Sequence, residues 1–257
     1  MKANKVFVAW QDQHTREWRP VGILMYFDGL FTFCYTKGAE KAASFGGFPR
    51  MERLDRVYEA EELFPVFQNR LLSEKRPEYD RLMTWLNVPK PRNPEEMNET
   101  KLTILALTEG RRRTDFITVF PCPTRTPDGE YDVTFFVHGL SHMAEETTAR
   151  VNALEPGAPL FLMHDRQNRR DPFALVLRTE GPLFAVGYCP RYFAKDFSFL
   201  LERLHEKELV RVLQVNPDAP TQFRLLCRFR SPWPRDFDSC SGEEFQTIPD
   251  ISVALVM

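Results

Sequence analysis

The sequence predicts an α+β protein in two parts: a small sheet with helices in the first half, and a β-barrel-like unit with two helices in the second. Two observations support this prediction. The 257 residues include 22 phenylalanines and 20 prolines, which favour many short strands and turns over long helices. Short runs with strand or helix periodicity also follow one another along the chain, separated by Gly and Pro.

The first half opens with a hairpin. Apolar, aromatic-rich runs at residues 21–27 and 30–35 flank Asp28-Gly29, a dipeptide typical of two-residue hairpin turns. The other predicted elements of this half are strands at 6–10 and 114–120 and helices at 59–72, 78–86 and 95–107.

The second half alternates between short strands and two helical segments. Strands are predicted at residues 131–137, 159–164, 173–177, 184–188, 209–215 and 223–229, and helices at 145–154 and 193–205. Residues 121–130, which read PCPTRTPDGE, are typical of a linker because proline and Asp-Gly interrupt regular structure. We therefore predict a first domain at 1–122, a second at 131–236, and a tail at 237–257 that is acidic and then apolar.

Charge and cysteine content narrow the function classes. The formal net charge is −2, yet residues 138–235 contain 14 Lys/Arg against 11 Asp/Glu, and residues 236–250 contain five acids and no base. A modestly basic module permits DNA binding.

No apolar run approaches the roughly 18 residues of a membrane helix, so no membrane partner is expected. Five scattered cysteines without CxxC spacing predict no zinc site and no disulfide framework. We expect a cytoplasmic protein without a cofactor or a secretory signal.

Three short motifs occur in order in the second half. They are HGL at residues 138–140, N-x-x-D-P-x-A at 168–174 and G-Y-x-P-R at 187–191. The ordered set resembles a HIRAN domain over about 100 residues. The resemblance implies capture of the 3′ end of single-stranded DNA, with aromatic rings stacked on bases and polar groups at the terminal hydroxyl and phosphate.

On this resemblance we expect a nucleic-acid site formed by His142, Arg166, Asn168, Arg169, Arg170, Asp171 and Arg191. Asp171 would accept the 3′-hydroxyl proton, and Asn168 would donate to phosphate or base. His142 and Arg170 stand where the relatives carry stacking aromatics; imidazole and guanidinium groups also stack on bases. The alternatives remain that Asp171-Pro172 initiates a turn and that the arginines line a solvated loop.

The first half carries a second set of short motifs. They are GIL at 22–24, GLFTF at 29–33, Tyr35, Gly38-Ala39, GFP at 47–49 and the segment 62–72. These resemble the N-terminal subdomain of HipA-type toxin kinases and the separate HipS-type antitoxin. The resemblance implies inhibition of a HipA-like serine/threonine kinase by complex formation. Trp85 is the candidate partner-binding side chain, with a core position as the alternative.

The catalytic lobe of those kinases has no counterpart here. There is no HxD loop followed by a metal-binding Asp and no nucleotide-gripping Gly loop, and no other catalytic arrangement stands out. We expect a non-catalytic antitoxin that neutralises a HipA-like kinase and carries a DNA-binding HIRAN-like domain. The alternatives are a DNA-end or single-stranded-DNA-binding accessory protein in repair or phage defence, and a subunit of a DNA-processing enzyme.

Overall fold

The computed structural model describes residues 3–112, 114–169, 171–204 and 209–249. Within this part of the chain there are two compact units. The first contains residues 3–80, 89–122 and 238–249, and the second contains residues 81–88 and the described part of 123–237. Each unit combines one antiparallel sheet with helices, so the predicted α+β class is confirmed.

The sheet of the first unit has five strands in the order β4-β3-β2-β1-β5. From residue 5 to residue 121 the elements are β1 (Lys5–Gln11), β2 (Trp18–Phe27), β3 (Leu30–Tyr35), α1 (Lys37–Glu40), β4 (Tyr58–Ala60), α2 (Pro65–Gln68), α3 (Tyr79–Leu86), α4 (Pro94–Thr108) and β5 (Ile117–Pro121). All neighbouring strands are antiparallel.

The predicted hairpin is present. Phe27 of β2 pairs with Leu30 of β3, and the two residues between them, Asp28 and Gly29, have φ values of 51° and 81°. Both lie in the left-handed region, which Asp-Gly tolerates better than most dipeptides. Turn chemistry therefore sets the register that places the aromatic rings of β3 in the core.

Helix α4 forms close to the predicted bounds because its ends carry clear signals. The side chain of Asn93 accepts a hydrogen bond of 2.8 Å from the backbone N–H of Glu96, and Pro94 occupies the first turn. Its apolar face contributes Leu102 and Leu105, both fully buried, to the core of the first unit. The helix ends at Glu109, which has a left-handed conformation.

The predicted long helix at residues 59–72 is wrong. Residues 58–60 form β4 and pair with β3, and the helical turn is limited to Pro65–Gln68. Proline has no backbone N–H and suits the first turn of a helix, so Pro65 begins a helix here instead of continuing one. The apolar spacing that predicted a helix comes from side chains such as Leu63 and Phe67, which both face the core without sharing one helix.

The acidic segment near the C-terminus packs within the first unit. The N–H of Ile248 donates to the carbonyl of Tyr35 over 2.9 Å, and Thr247 forms an isolated bridge with Thr36. The ring of Phe245 meets Phe7 edge-on at 5.1 Å. Residues up to 249 therefore complete the first unit, while residues 250–257 of the predicted tail lie outside the described residues.

The sheet of the second unit has six strands in the order β6-β11-β10-β7-β8-β9. Its elements are β6 (Glu130–Phe136), α5 (Glu145–Asn152), β7 (Pro159–His164), β8 (Leu175–Arg178), β9 (Ala185–Tyr188), α6 (Arg191–Leu204), β10 (Val210–Val215) and β11 (Leu225–Pro232). Beyond the end of β6, His138 exchanges two backbone hydrogen bonds of 2.9 Å with Tyr188 at the end of β9. This bridge joins the two edges, so the curled sheet is a partly closed barrel.

The barrel core is aromatic. Phe197 of α6 stacks on Phe229 of β11 with ring centroids 4.0 Å apart. The segment 81–88 also belongs to this unit, where Asn216 donates to the carbonyl oxygen of Trp85 over 3.0 Å. Among the described residues, no helix is long and apolar enough to cross a membrane.

Candidate nucleic-acid interface

The HGL turn lies where the barrel closes. Gly139 has a φ of 78°, and a Cβ there would lie 3.2 Å from the ring of Tyr188. Gly187 has a φ of 135°, and a Cβ there would overlap the carbonyl oxygen of His138. Both positions favour glycine because other residues rarely adopt these backbone angles. The first and third motifs are therefore in direct contact, and His142 follows in a short 3₁₀ turn, Leu140–His142.

The polar loop between β7 and β8 is held by its own hydrogen bonds. The backbone N–H of Asp171 donates to Asn168 Oδ1 over 3.1 Å, and Asp171 Oδ1 accepts from the N–H of Phe173 over 3.0 Å. The N–H of Asp165 closes the loop by donating to the carbonyl of Ala174 over 2.9 Å. Asn168 and Asp171 thus form the turns of the loop, a role that Asn and Asp often perform.

Two side-chain contacts attach this loop to the third motif. The hydroxyl of Tyr188 donates to Asp165 Oδ2 over 3.0 Å. Burial, together with this carboxylate, raises the pKa of Tyr188 above its ordinary value. At the start of α6, Arg191 Nε lies 3.7 Å from Asp171 Oδ2. The three motifs therefore meet around Tyr188, from three separate parts of the chain.

The surface of this site is basic and partly aromatic. Arg166, Arg169 and His142 are exposed, and Arg191 is exposed although it faces Asp171. No described carboxylate lies within ion-pair distance of Arg166 or Arg169. Arg170, also predicted for the site, lies outside the described residues.

Sequence reasoning missed three contributors. Phe173 follows the Asp-Pro pair and is 44% exposed, which is unusual for a phenylalanine and suits stacking. Tyr188 and Asp165 were not predicted because their contact joins residues 23 positions apart. Phe173 had a signal, a large apolar ring inside a polar loop, whereas the Tyr188–Asp165 contact had none.

Trp85 is placed in the second unit. Its indole N–H donates to Asp218 Oδ1 over 3.3 Å, and the guanidinium of Arg81 lies 5.1 Å from the centre of its ring. Arg81 also pairs with Asp218 at 2.7 Å, and its hydrogen bond, followed by that of Trp85, lowers the pKa of Asp218. The indole is half-buried, and its predicted role at a partner stays a prediction.

Comparison with known proteins bears on this site. The family model described as "HIRAN domain" matches residues 131–231, which include all three motifs. A crystal structure of a protein from Lactobacillus plantarum is similar, with 18% identity and a TM-score of 0.31, over 40% of this chain and 98% of that one. Comparison with curated proteins gives no match. Residues 131–231 form a HIRAN domain, as the ordered motifs predicted.

Proposed function

We propose that the second unit binds single-stranded DNA at or near a strand end. The binding surface would comprise the 165–173 loop, the 138–142 turn and the start of α6. The observation that supports this most is the meeting of the three HIRAN motifs around Tyr188, with the exposed Arg166 and Arg169 on the same loop. Arginines without a carboxylate partner are suited to phosphates, because a phosphate does not have to displace a protein anion.

The aromatic and imidazole groups give this surface a means of holding bases. Phe173 is 44% exposed, and His142 is exposed on the adjoining turn. Stacking on such a side chain contributes about 1–3 kcal/mol per base and tolerates any sequence. We therefore expect binding that depends weakly on sequence and strongly on the presence of unpaired bases.

Asp171 is the group proposed to distinguish a free 3′ end. Its Oδ1 holds the turn at Phe173, while its Oδ2 is 3.7 Å from Arg191, longer than a good charge-assisted hydrogen bond. The side chain is 16% exposed, so part of the carboxylate can be reached from solvent. A 3′-hydroxyl could donate to Oδ2, whereas a 3′-phosphate would be repelled by it.

Fluorescence anisotropy with two 5′-labelled oligonucleotides, one ending in a 3′-hydroxyl and one in a 3′-phosphate, tests this proposal. Wild type should prefer the hydroxyl end. Asp171→Asn should lose that preference, because the amide oxygen can keep the turn at Phe173 while the negative charge is removed. Asp128→Asn, an exposed change of the same charge in the same unit, should keep it. Equal affinity of wild type for both ends would reject end recognition, and no binding at low salt would reject the site.

We also propose that the chain acts by binding and not by catalysis, since the sequence offers no catalytic arrangement. Incubation of the pure chain with ATP, or with labelled DNA and Mg²⁺, should leave both substrates intact. Turnover that a point mutation of this chain abolishes would contradict the proposal.

A second proposal concerns the first half, which would bind and inhibit a HipA-like kinase. It rests on the sequence resemblance alone; the candidate side chain, Trp85, is half-buried and packs within the second unit. The full chain should co-purify with such a kinase and suppress its autophosphorylation, and Trp85→Ala should weaken suppression more than Trp18→Ala. If Trp85→Ala still suppressed the kinase fully, the side chain of Trp85 would have no part in inhibition. If no complex formed, a HipA-like kinase would not be the partner.

A further inference from the structure

The first unit contains a cavity of about 520 Å³ between the 68–79 segment and helix α4. Helix α4 contributes Met97, Lys101 and Ile104, which are four and three residues apart and share one helix face. A neighbouring face of the helix packs into the core through Leu102 and Leu105. Core packing thus fixes one wall of the cavity in place.

The opposite wall is a chain of tight turns. The N–H of Arg76 donates to the carbonyl of Ser73 over 3.0 Å, and the N–H of Tyr79 donates to the carbonyl of Arg76 over 3.0 Å. These bonds give the segment a defined path although it is not a regular helix. Leu71 and Leu72 add apolar surface to this wall.

Three cationic side chains line the cavity: Lys75, Arg76 and Lys101. None has a described carboxylate within ion-pair distance, and the ammonium of Lys101 is held by Asn98 Oδ1 at 2.8 Å. Glu74 is the only acidic side chain among the described lining residues. The lining therefore has an excess of positive charge beside an apolar wall.

Tyr79 belongs to the same lining, but its hydroxyl is buried. The residue is 6% exposed, and its hydroxyl has no hydrogen-bond partner among the described residues. Burial, with the charge of Glu74, raises the pKa of Tyr79, so the hydroxyl keeps its proton and remains a donor. The hydroxyl oxygen is itself buried, so it does not face the cavity and is not counted among the groups that a ligand would meet.

We propose that this cavity binds a small organic anion, a phosphate monoester attached to a flat ring. The phosphate would be held by Lys75, Arg76 and Lys101. The ring would lie against Leu72, Met97 and Ile104. This site is independent of the DNA surface, since every lining residue belongs to the first unit.

Isothermal titration calorimetry of the full chain tests the proposal with 1-naphthyl phosphate, 1-naphthol and inorganic phosphate. The aryl phosphate should bind at least roughly tenfold more tightly than either fragment, because only it uses both walls. AMP and adenosine form a second pair that shows whether nucleotides are among the ligands accepted. Equal binding of 1-naphthol and 1-naphthyl phosphate, or no binding of the phosphate, would overturn the proposal.

Variants locate the site. Lys101→Met keeps the aliphatic stem and should weaken binding roughly tenfold, the loss expected for one charge-assisted hydrogen bond. Lys101→Arg should recover part of that loss. Tyr79→Phe should leave affinity unchanged, because the hydroxyl oxygen is buried away from the cavity, and should leave the melting temperature of the free protein unchanged or higher, because only an unpaired hydroxyl is lost.

Two controls separate this site from other basic surfaces. Arg56→Gln removes an exposed charge elsewhere in the first unit and should leave affinity unchanged. The double variant Arg166→Gln/Arg169→Gln, on the proposed DNA surface, should also bind 1-naphthyl phosphate like wild type. Loss of binding in that double variant, with full binding by Lys101→Met, would place the ligand on the DNA surface and refute the cavity.

Discussion

Arg166 and Arg169 provide the sharpest test of the DNA surface, because both are exposed and neither has a described carboxylate within ion-pair distance. Each arginine that neutralises a phosphate of single-stranded DNA contributes about 0.7 to the slope of log affinity against log salt. Replacing both with glutamine should flatten that slope by about 1.4. Over a fourfold rise in salt, wild type should then lose about seven times more affinity than the double variant.

Arg191 should contribute less than either of these arginines. Its Nε lies 3.7 Å from Asp171, so a phosphate must compete with a carboxylate already present. We therefore expect Arg191→Gln to flatten the slope by less than about 0.7. This ordering comes from the structure, since all three arginines are equivalent in the sequence pattern.

The assay is fluorescence anisotropy with one single-stranded oligonucleotide at four or more salt concentrations. The matched control is Arg228→Gln/Arg230→Gln, which removes the same charge from the same unit. Each of those arginines is already paired, with Asp132 and Glu130 respectively, so the slope should stay close to that of wild type. Equal slopes for wild type and Arg166→Gln/Arg169→Gln would refute the reasoning. The same would follow if Arg228→Gln/Arg230→Gln flattened the slope as much as Arg166→Gln/Arg169→Gln.

Three further predictions concern stability. Gly187→Ala should destabilise the second unit by at least about 2 kcal/mol in urea unfolding, since φ is 135° and a Cβ would overlap a backbone carbonyl; Gly157→Ala, where φ is 89° in open space, should cost less. Arg70→Met should destabilise the first unit by about 3 kcal/mol, because Arg70 is 2% exposed and its removal leaves its partner Asp115 unpaired; unchanged stability would show that the pair contributes nothing net. Hydrogen bonds from the Ser44 side chain and the backbone lower the pKa of Asp12 to about 2, so its stabilising effect should be present above pH 4 and lost as pH falls towards 2. The stability gap between wild type and Asp12→Asn should therefore narrow over that range, and a gap independent of pH would contradict the assignment.

Local signals were enough to predict much of the fold. The Asp28-Gly29 turn and the Asn93 cap each act within four residues, and the hairpin and the helix that they support were both predicted. The helix predicted at 59–72 failed because apolar spacing does not distinguish one helix from a strand followed by a turn. Pairing with β3, which is set by contacts distant in sequence, decides the conformation of β4.

Long-range contacts also explain the placement of two segments. Residues 81–88 pack with the second unit through hydrogen bonds to Gln214 and Asn216, more than 100 residues away. The acidic segment at 238–249 packs with the first unit through Ile248 and Phe245. The residue pattern of neither segment indicates which unit it packs against. Residues 81–88 were therefore assigned to the first domain, and residues 238–249 to a tail that follows the second.

The site separates residues that build the HIRAN fold from residues available to a ligand. Gly187 allows the barrel to close, while Asn168 and Asp171 hold the loop by accepting hydrogen bonds from the backbone. A motif match therefore reports the shape of the site, since these residues are needed whether or not DNA is bound. The groups available to a ligand are those with exposed surface, chiefly Arg166 and Phe173, together with the part of the Asp171 carboxylate that solvent reaches. A difference in ligand between two HIRAN domains should therefore map to these ligand-facing groups and leave framework residues such as Gly187 unchanged.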